Sequence, residues 1–475
     1  MPFSSRLNFK EIDDKDVNFF REILPENLIM TNPEKLKDYS HDYTEDISSI
    51  PDIVLMPETT QQVSKIMQYC YDNFIPVTPR GAGTGLSGGA IPVKKGVVLS
   101  LEKMNKILKI DVPNRMVITQ PGVITQVLQE EVQKYGLFYP PDPASRGSCF
   151  IGGNVAENSG GPKAVKYGVT KDYVLDLEVV LPCGTILHTG AATFKNATGY
   201  NLTQLFVGSE GTLGIVTEIT LKLLHTPKHD VLMMIMFDSL IAASRAVNQI
   251  LQTGILPSAL ELMEKDALDF GMQYIPDVEI SIPENTESVL LVELDGNYPE
   301  ILQKEAETIA GILENNGVID IYWAEESNDK QRLWKLRRGI GEAVKMHSVY
   351  KEEDTVVPVS AIPELIEKVK DLGKKYGFRS VCYGHAGDGN IHVNILKDSM
   401  REEDWNGTKL EEAIRELFRT CKRLGGTISG EHGIGLVQKK YLKEVFTEEE
   451  IEWQKKVKIL FDPRNILNPG KIFPD

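Results

Sequence analysis

The sequence predicts an α+β protein of at least two domains, and three observations carry that expectation. Its 475 residues exceed what one hydrophobic core usually organises. An apolar fraction of 41% with 8% aromatic residues is that of a globular chain. From Pro51 to about Pro227 short β-rich runs alternate with amphipathic helical stretches, whereas beyond Pro227 pairs of strands follow one another between helices.

In the first stretch PDIVLMP reads as a strand, TTQQVSKIMQYCYDN as an amphipathic helix, and IPVTPR as a strand entering a glycine-rich loop. GVVLSL, KILKIDV and RMVITQPG follow as strands, TQVLQEEVQKYG as a helix, and VLDLEVVLPCGTILH as further strand. In TLGIVTEITLKLL, Leu213, Ile215, Thr217, Ile219 and Leu221 alternate with Val216, Glu218, Thr220 and Lys222, as in a strand with one buried face. The second stretch runs strand VLMMIMF, helix LIAASRAVNQILQ, strands SALELME and SVLLVEL, helix EILQKEAETIAGIL and strand IDIYWA, an order that suits a split β-α-β sandwich of ferredoxin-like type. A similar order from Val356, with helix PELIEKVKDLGKKYG, two strands around GHAGDGN and helix KLEEAIRELFRTCKRLGG, suggests an internal duplication. TEEEIEWQKKVKILFDP reads as a closing helix and NPGK as a turn. The expected divisions are 1–50, an N-terminal segment packing on the first domain; 51–227, the first domain; 228–430, the second; and 431–475, a returning C-terminal segment.

Charge and cysteine usage exclude several functions. Acidic side chains outnumber basic ones 68 to 52, and no Lys/Arg-rich run appears, so nucleic acid is not an expected partner. No run approaches the roughly 20 apolar residues of a spanning helix, and the N-terminus lacks a basic flank before an apolar stretch. A cytoplasmic protein is expected, touching membranes only through partners. Cys70, Cys149, Cys183, Cys382 and Cys421 form no CxxC pair, so no iron-sulfur ligand set or disulfide framework is expected.

Residues Gly83 to Gly88 match GxGxxG, the fingerprint of a dinucleotide-binding crossover. Such a loop must open a helix, and a crossover takes at least about 10 to 12 residues. Only eight residues, Pro92 among them, separate Gly88 from the strand at Val97. The loop can still serve a pyrophosphate through exposed backbone N–H groups. A lone glycine cluster reads first as a surface turn, but IGGNVAENSGG and GSEGTLGIV repeat the pattern beside expected strands.

Together PRGAGTGLSGG, PPDPAS, IGGNVAENSGG, KYGVT, GSEGTLGIV and NPGK resemble the PCMH-type FAD-binding domain of the vanillyl-alcohol oxidase superfamily. The resemblance implies that Arg80, Gly81, Ala82, Gly83, Thr84, Gly85, Leu86 and Ser87 wrap the FAD pyrophosphate. It places Pro141, Asp142, Ser145, Ser148, Gly152, Gly153, Asn154, Asn158, Ser159, Gly160 and Gly161 along the flavin, with Glu210, Gly211, Ile215, Val216 and Asn468 close by. Residues 431–475 would then complete the flavin site. Some relatives tether FAD through a histidine in the glycine-rich loop; none lies between Arg80 and Gly89, so noncovalent FAD is expected.

Three of the eight histidines fall in two short motifs, GHAGDGNIHVNI with His385 and His392, and SGEHG with Glu431 and His432. In IHVNI the apolar Ile391, Val393 and Ile395 share one strand face, which places His392 and Asn394 together on the other. Two histidines and a carboxylate leave coordination positions open, as catalytic metal sites do. Any one of these histidines alone reads as a hydrogen-bonded core residue. The motifs are similar to the signature of the branch that holds D-lactate dehydrogenase, glycolate oxidase and D-2-hydroxyglutarate dehydrogenase. There the matching His385, His392 and Glu431 ligate a divalent metal, Asn394 touches substrate and His432 is the catalytic base. Zinc suits this ligand set best, with iron and manganese as alternatives.

The resemblance also places Arg337, in WKLR, on the substrate carboxylate, and Lys351 where relatives bind the distal carboxylate of 2-hydroxyglutarate. The threonine that those relatives carry one turn after the arginine is Gly341 here. Glu352, Glu353 and Asp354 discourage a second substrate carboxylate. The expected activity is therefore oxidation of D-lactate or glycolate, with D-2-hydroxyglutarate as the alternative and a metal-dependent hydrolase as the alternative of a different class. Electrons would leave to electron-transfer flavoprotein, an iron-sulfur subunit or quinone, in a homodimer or hetero-complex.

Overall fold

The computed structural model describes residues 9–44, 47–278, 280–314, 316–398 and 400–474. The chain divides into two compact units. Unit one comprises Met1–Gly160, Val169–Thr226 and Glu431–Asp475; unit two comprises Gly161–Gly168 and Pro227–Gly430. No helix among the described residues is long and apolar enough to cross a membrane.

Unit one holds two main sheets. β1 (Ile29–Met30), β2 (Ile53–Leu55), β3 (Val77–Arg80) and β4 (Val97–Ser100) lie in the order β1-β2-β4-β3, with β2, β4 and β3 parallel and β1 antiparallel at the edge. Ile53, Val54 and Leu55, like Val97, Val98 and Leu99, are fully buried, as expected of parallel strands covered on both faces. The helix Thr60–Asp72 starts at a capping box made by Thr59 and Gln62 and buries Val63, Ile66, Met67 and Cys70. Residues 81–96 join the parallel neighbours β3 and β4 without any helix, so the GxGxxG match opens no crossover.

The second sheet contains β5 (Ile107–Asp111), β6 (Met116–Thr119), β8 (Val174–Val180), β9 (Ile186–His188) and β10 (Ile215–Lys222), antiparallel in the order β5-β6-β10-β8-β9. β7 (Leu137–Phe138) pairs with β11 (Leu224–His225). IGGNVAE forms a short helix, Ile151–Glu157, stopped by Asn158 in the left-handed conformation (φ 57°). Gly152 lets this helix lie against Pro121, whose Cβ would be 2.5 Å from a side chain there. After the helix Glu448–Phe461, Ile466 and Leu467 enter the core under the first sheet, and Leu467 bridges to Val77.

Unit two is built on one seven-stranded antiparallel sheet. β12 (His229–Phe237), β13 (Ala259–Glu264), β14 (Ser288–Gly296), β15 (Val318–Ala324), β16 (Tyr350–Val356), β17 (Arg379–His385) and β18 (Asn390–Leu396) take the order β15-β12-β14-β13-β17-β18-β16. The first four strands and their helices Leu240–Gln252 and Pro299–Leu313 have the ferredoxin-like order. β16, β17 and β18 with the helices Ile362–Tyr376 and Thr408–Arg423 repeat it, and an isolated antiparallel bridge between Val356 and Thr427 stands in place of a fourth strand. The halves meet where β13 pairs with β17 through Leu262–Gly384 and Met263–Tyr383.

Leu232, Met234, Met236, Val289 and Leu291 share a core with Leu268, Phe270, Leu333, Leu336 and Ile340 of the helices Lys265–Tyr274 and Ser327–His347. The shorter helix was not expected from the sequence. Its Gly271 admits Leu336 where a Cβ would collide, so this close packing, not helix propensity, holds it.

Candidate active site

In unit one, three glycine-bearing segments converge. A Cβ on Gly81 would lie 3.7 Å from Gly153 Cα, while at Gly85 and Gly153 it would meet nothing within 4 Å. Residues 81–86 are half-buried. Among the described residues, the backbone N–H groups of Ala82 to Leu86 donate no hydrogen bond to the protein. A run of ordered donors without partners, on a surface cleared of side chains, fits a flavin dinucleotide's pyrophosphate.

The loop is held from behind. Arg80 turns inward: its Nη1 donates to His41 O at 2.7 Å, its guanidinium lies over the Tyr39 ring, and a side chain at Gly83 would strike it. Arg80 is therefore a buttress of the loop, and the backbone beyond it carries the donors. Asn468 is likewise a tie, with Nδ2 donating to Gly89 O (3.0 Å) and Glu210 O (2.9 Å). Lys471 Nζ donates to Gly89 O and Ile91 O; burial pushes its ammonium down to about 7.

Around the helix Ile151–Glu157, Asn154 Nδ2 donates to Thr125 Oγ1 (2.7 Å), Asn158 Oδ1 accepts Lys171 N (2.9 Å) and Ser159 O accepts Thr170 Oγ1 (2.8 Å). Pro141 O accepts Gln129 Nε2, Asp142 is buried, Ser145 is half-buried and Ser148 is exposed. Gly211 (φ 63°) leaves Pro79 the space a Cβ would fill, and Ile215 is buried in the core of the first sheet.

Glu210, with φ 50°, accepts Ile434 N at 2.8 Å and Gly435 N at 2.6 Å and so fixes the chain just after His432. His432 and Glu431 are each half-buried, and Glu431 Oε2 is 3.0 Å from where a Cβ on Gly160 would stand. Burial raises the Glu210 carboxyl, and burial with the charge of Glu210 raises Glu157 well above the ordinary range. Glu157 fills the space that glycine leaves at position 433.

In unit two the functional face follows from strand register. Glu261 on β13, Tyr383 and His385 on β17, His392 and Asn394 on β18, and Glu352 and Asp354 on β16 alternate onto one side of the sheet. Tyr383 pairs with His392, Asp354 with His392, and Glu352 with Asn394. The turn at GDGN returns His385 to His392: their rings are 5.6 Å apart at 81°, with ligand nitrogens within 4.8 Å. His385 Nδ1 lies 2.9 Å from both carboxylate oxygens of Glu261, which leaves Nε2 to face outward. His392 Nδ1 is 3.3 Å from Glu352 and 3.7 Å from Asp354. Asp354 in turn accepts Asn390 Nδ2, Ser429 Oγ and the N–H of Gly430, the residue that precedes Glu431 in the chain.

Arg337 is 4% exposed, and its Nη2 is 2.6 Å from Glu261 Oε2. Burial alone would raise the Glu261 carboxyl; Arg337 and His385 outweigh it and hold Glu261 below the ordinary value, hence ionised. Buried polar atoms on this face that close no standard hydrogen bond include Arg337 Nε and Oδ1 and Nδ2 of Asn394, whose side chain the Tyr383 hydroxyl approaches. Each such atom costs about 1–3 kcal/mol unless a ligand satisfies it. The donor set fits a divalent metal: two imidazoles, one oriented by a carboxylate, flanked by acidic side chains.

Glu261 is a residue that the motifs did not single out. Its signal was an acidic side chain inside an otherwise apolar run, Ala259, Leu260, Leu262 and Met263. Lys351 is corrected in the other direction. It pairs with Ile395 and so projects to the opposite side of the sheet from Glu352, with its Nζ 5.2 Å from the Trp405 ring centroid. It does not join Arg337 and Asn394.

Two family profiles match the chain: "FAD binding domain" over residues 51–190 and "FAD linked oxidases, C-terminal domain" over 226–472. A glycolate oxidase subunit of Bacillus subtilis is 40% identical over 450 residues, covering 94% of each chain. A D-lactate dehydrogenase of Anaerostipes hadrus is 38% identical, covering 98% of this chain and 99% of its own. A D-2-hydroxyglutarate dehydrogenase of Stutzerimonas stutzeri is 34% identical, covering 96% and 98%. Among solved structures, p-cresol methylhydroxylase superposes with a TM-score of 0.76 at 18% identity, covering 98% of each chain, a likeness of fold. The chain belongs to the FAD-linked oxidases, as an FAD-dependent oxidoreductase of 2-hydroxy acids.

Proposed function

We propose that this protein oxidises a short 2-hydroxy acid, D-lactate or glycolate, to the 2-oxo acid. The observation that carries the reading is the buried Arg337 Nε and Asn394 amide, which close no standard hydrogen bond, beside the tethered pair His385 and His392. Arg337 takes the substrate carboxylate, for which a guanidinium is the favoured partner. Asn394 donates to or accepts from the substrate oxygens on the same strand face. His385 and His392 hold a divalent metal, zinc by preference, to which the motif resemblance adds Glu431. His432 accepts the hydroxyl proton at a ring nitrogen. When bound, FAD supplies the acceptor of the two electrons and the carbon-bound hydrogen, and the metal supplies polarisation of the substrate hydroxyl.

Substrate length follows from charge. Glu261, Glu352 and Asp354 crowd the face, and Lys351 lies on the other side of the sheet, so Lys351 does not offer this face a cation for a distal carboxylate. The relative named a subunit of glycolate oxidase supports a hetero-complex in which a separate protein takes the electrons, an iron-sulfur subunit, an electron-transfer flavoprotein, or quinone through one of them.

Anaerobic mixing with a panel of 2-hydroxy acids, with and without chelator, tests the reading. Flavin bleaching by D-lactate or glycolate that is lost after chelation is the expected result. Faster bleaching by D-2-hydroxyglutarate refutes the substrate, and bleaching indifferent to chelation refutes the metal. Acid precipitation should leave the yellow colour in the supernatant, since no histidine occupies residues 80–89.

A further inference from the structure

Gly341 lies one helical turn after Arg337 in the helix Ser327–His347. A Cβ built on it would stand 3.4 Å from the Tyr383 hydroxyl oxygen. The Tyr383 ring packs 5.3 Å from the Arg337 guanidinium carbon and 5.4 Å from the His392 ring, and the residue is 4% exposed. The ring is thus fixed by cation–π and aromatic contacts, and its hydroxyl reaches the helix at the position that glycine leaves empty. The Tyr383 phenol feels the charge of Arg337 and meets the Asn394 side chain, and both residues carry buried polar atoms that close no standard hydrogen bond.

We propose that the Tyr383 hydroxyl, kept clear on the helix side by Gly341, hydrogen-bonds the substrate carboxylate taken up by Arg337. This rests on the hydroxy-acid reading above and deepens it. A phenol donating to a carboxylate makes a charge-assisted bond, and a rigid ring with two torsions loses little freedom in making it. A side chain at position 341 would stand against the phenol oxygen, since its Cβ alone would lie 3.4 Å away.

Oxalate, a non-oxidisable dianion of glycolate's size, is the probe, and its binding to the holoenzyme is read from the change in flavin absorbance. A hydrogen bond to a charged group is worth about 1.5–3 kcal/mol, so Tyr383→Phe should weaken oxalate binding about 10-fold or more. Flavin content and melting temperature should be unchanged, and kcat/KM for glycolate should fall more than kcat. Gly341→Val, which keeps the tyrosine and reaches only its hydroxyl, should weaken oxalate in the same way. Oxalate binding that stays within about twofold in either variant overturns the proposal. If the unsubstituted holoenzyme neither binds oxalate nor is reduced by any 2-hydroxy acid, the functional reading falls, and this inference with it.

Discussion

Replacing Glu261 by glutamine removes one charge from a place where two partners depend on it. The carboxylate is fully buried, 2.6 Å from Arg337 Nη2 and 2.9 Å from His385 Nδ1, so solvent screens neither contact. Removing one member of a buried ion pair costs about 3–5 kcal/mol, because the other charge stays behind unpaired. The glutamine carbonyl can still accept one hydrogen bond, which returns about 1 kcal/mol, so a net loss of about 2–4 kcal/mol is expected. Trp323, Trp334 and Trp405 all lie in unit two, so tryptophan fluorescence during urea unfolding reports largely on that unit. The same substitution frees the orientation of His385 and should weaken metal retention about 10- to 100-fold, measured by dialysis against graded chelator. A variant within about 0.5 kcal/mol of the parent, with equal metal retention, would refute the claim that Glu261 positions both residues.

In unit one, burial raises both Glu157 and Glu210, so the folded protein keeps protons that the unfolded chain loses above its ordinary carboxyl value near 4.5. Their contribution is fully present below that value and fades as pH rises through the folded-state values. Glu157→Gln, which imitates the protonated acid, should flatten the fall in stability as pH rises above the ordinary carboxyl value; an unchanged pH profile would exclude a protonated Glu157. Lys351→Met should leave kcat/KM for the short hydroxy acid within about twofold, since the side chain projects to the far side of the sheet; a loss of tenfold or more would return Lys351 to the site.

Much of the site was legible in the chain because its signals are local. The spacing from Gly88 to Val97 ruled out a crossover helix, and residues 81–96 contain none. The alternation in IHVNI put His392 and Asn394 on one strand face, where β18 carries them. The helix Ile151–Glu157 escaped notice because its two glycines read as loop, and tertiary packing against Pro121 overrides their weak propensity.

The sequence by itself determined most of the strands and longer helices, the order of the motifs and the residue types able to hold FAD, a metal and a carboxylate. Those follow from side-chain periodicity of 2 or 3.6 and from glycine's backbone freedom, which act over a few residues. Only the tertiary structure decided that Glu261, 124 residues before His385 in the chain, is the carboxylate that orients it. It also decided that Arg80 turns inward, that Lys351 faces away, and that Tyr383 meets the gap at Gly341. The reason is register. Alternation says which residues of one strand share a face, but the pairings Glu352–Asn394 and Tyr383–His392 say which strands those faces meet, and such long-range pairing leaves no trace within either strand alone.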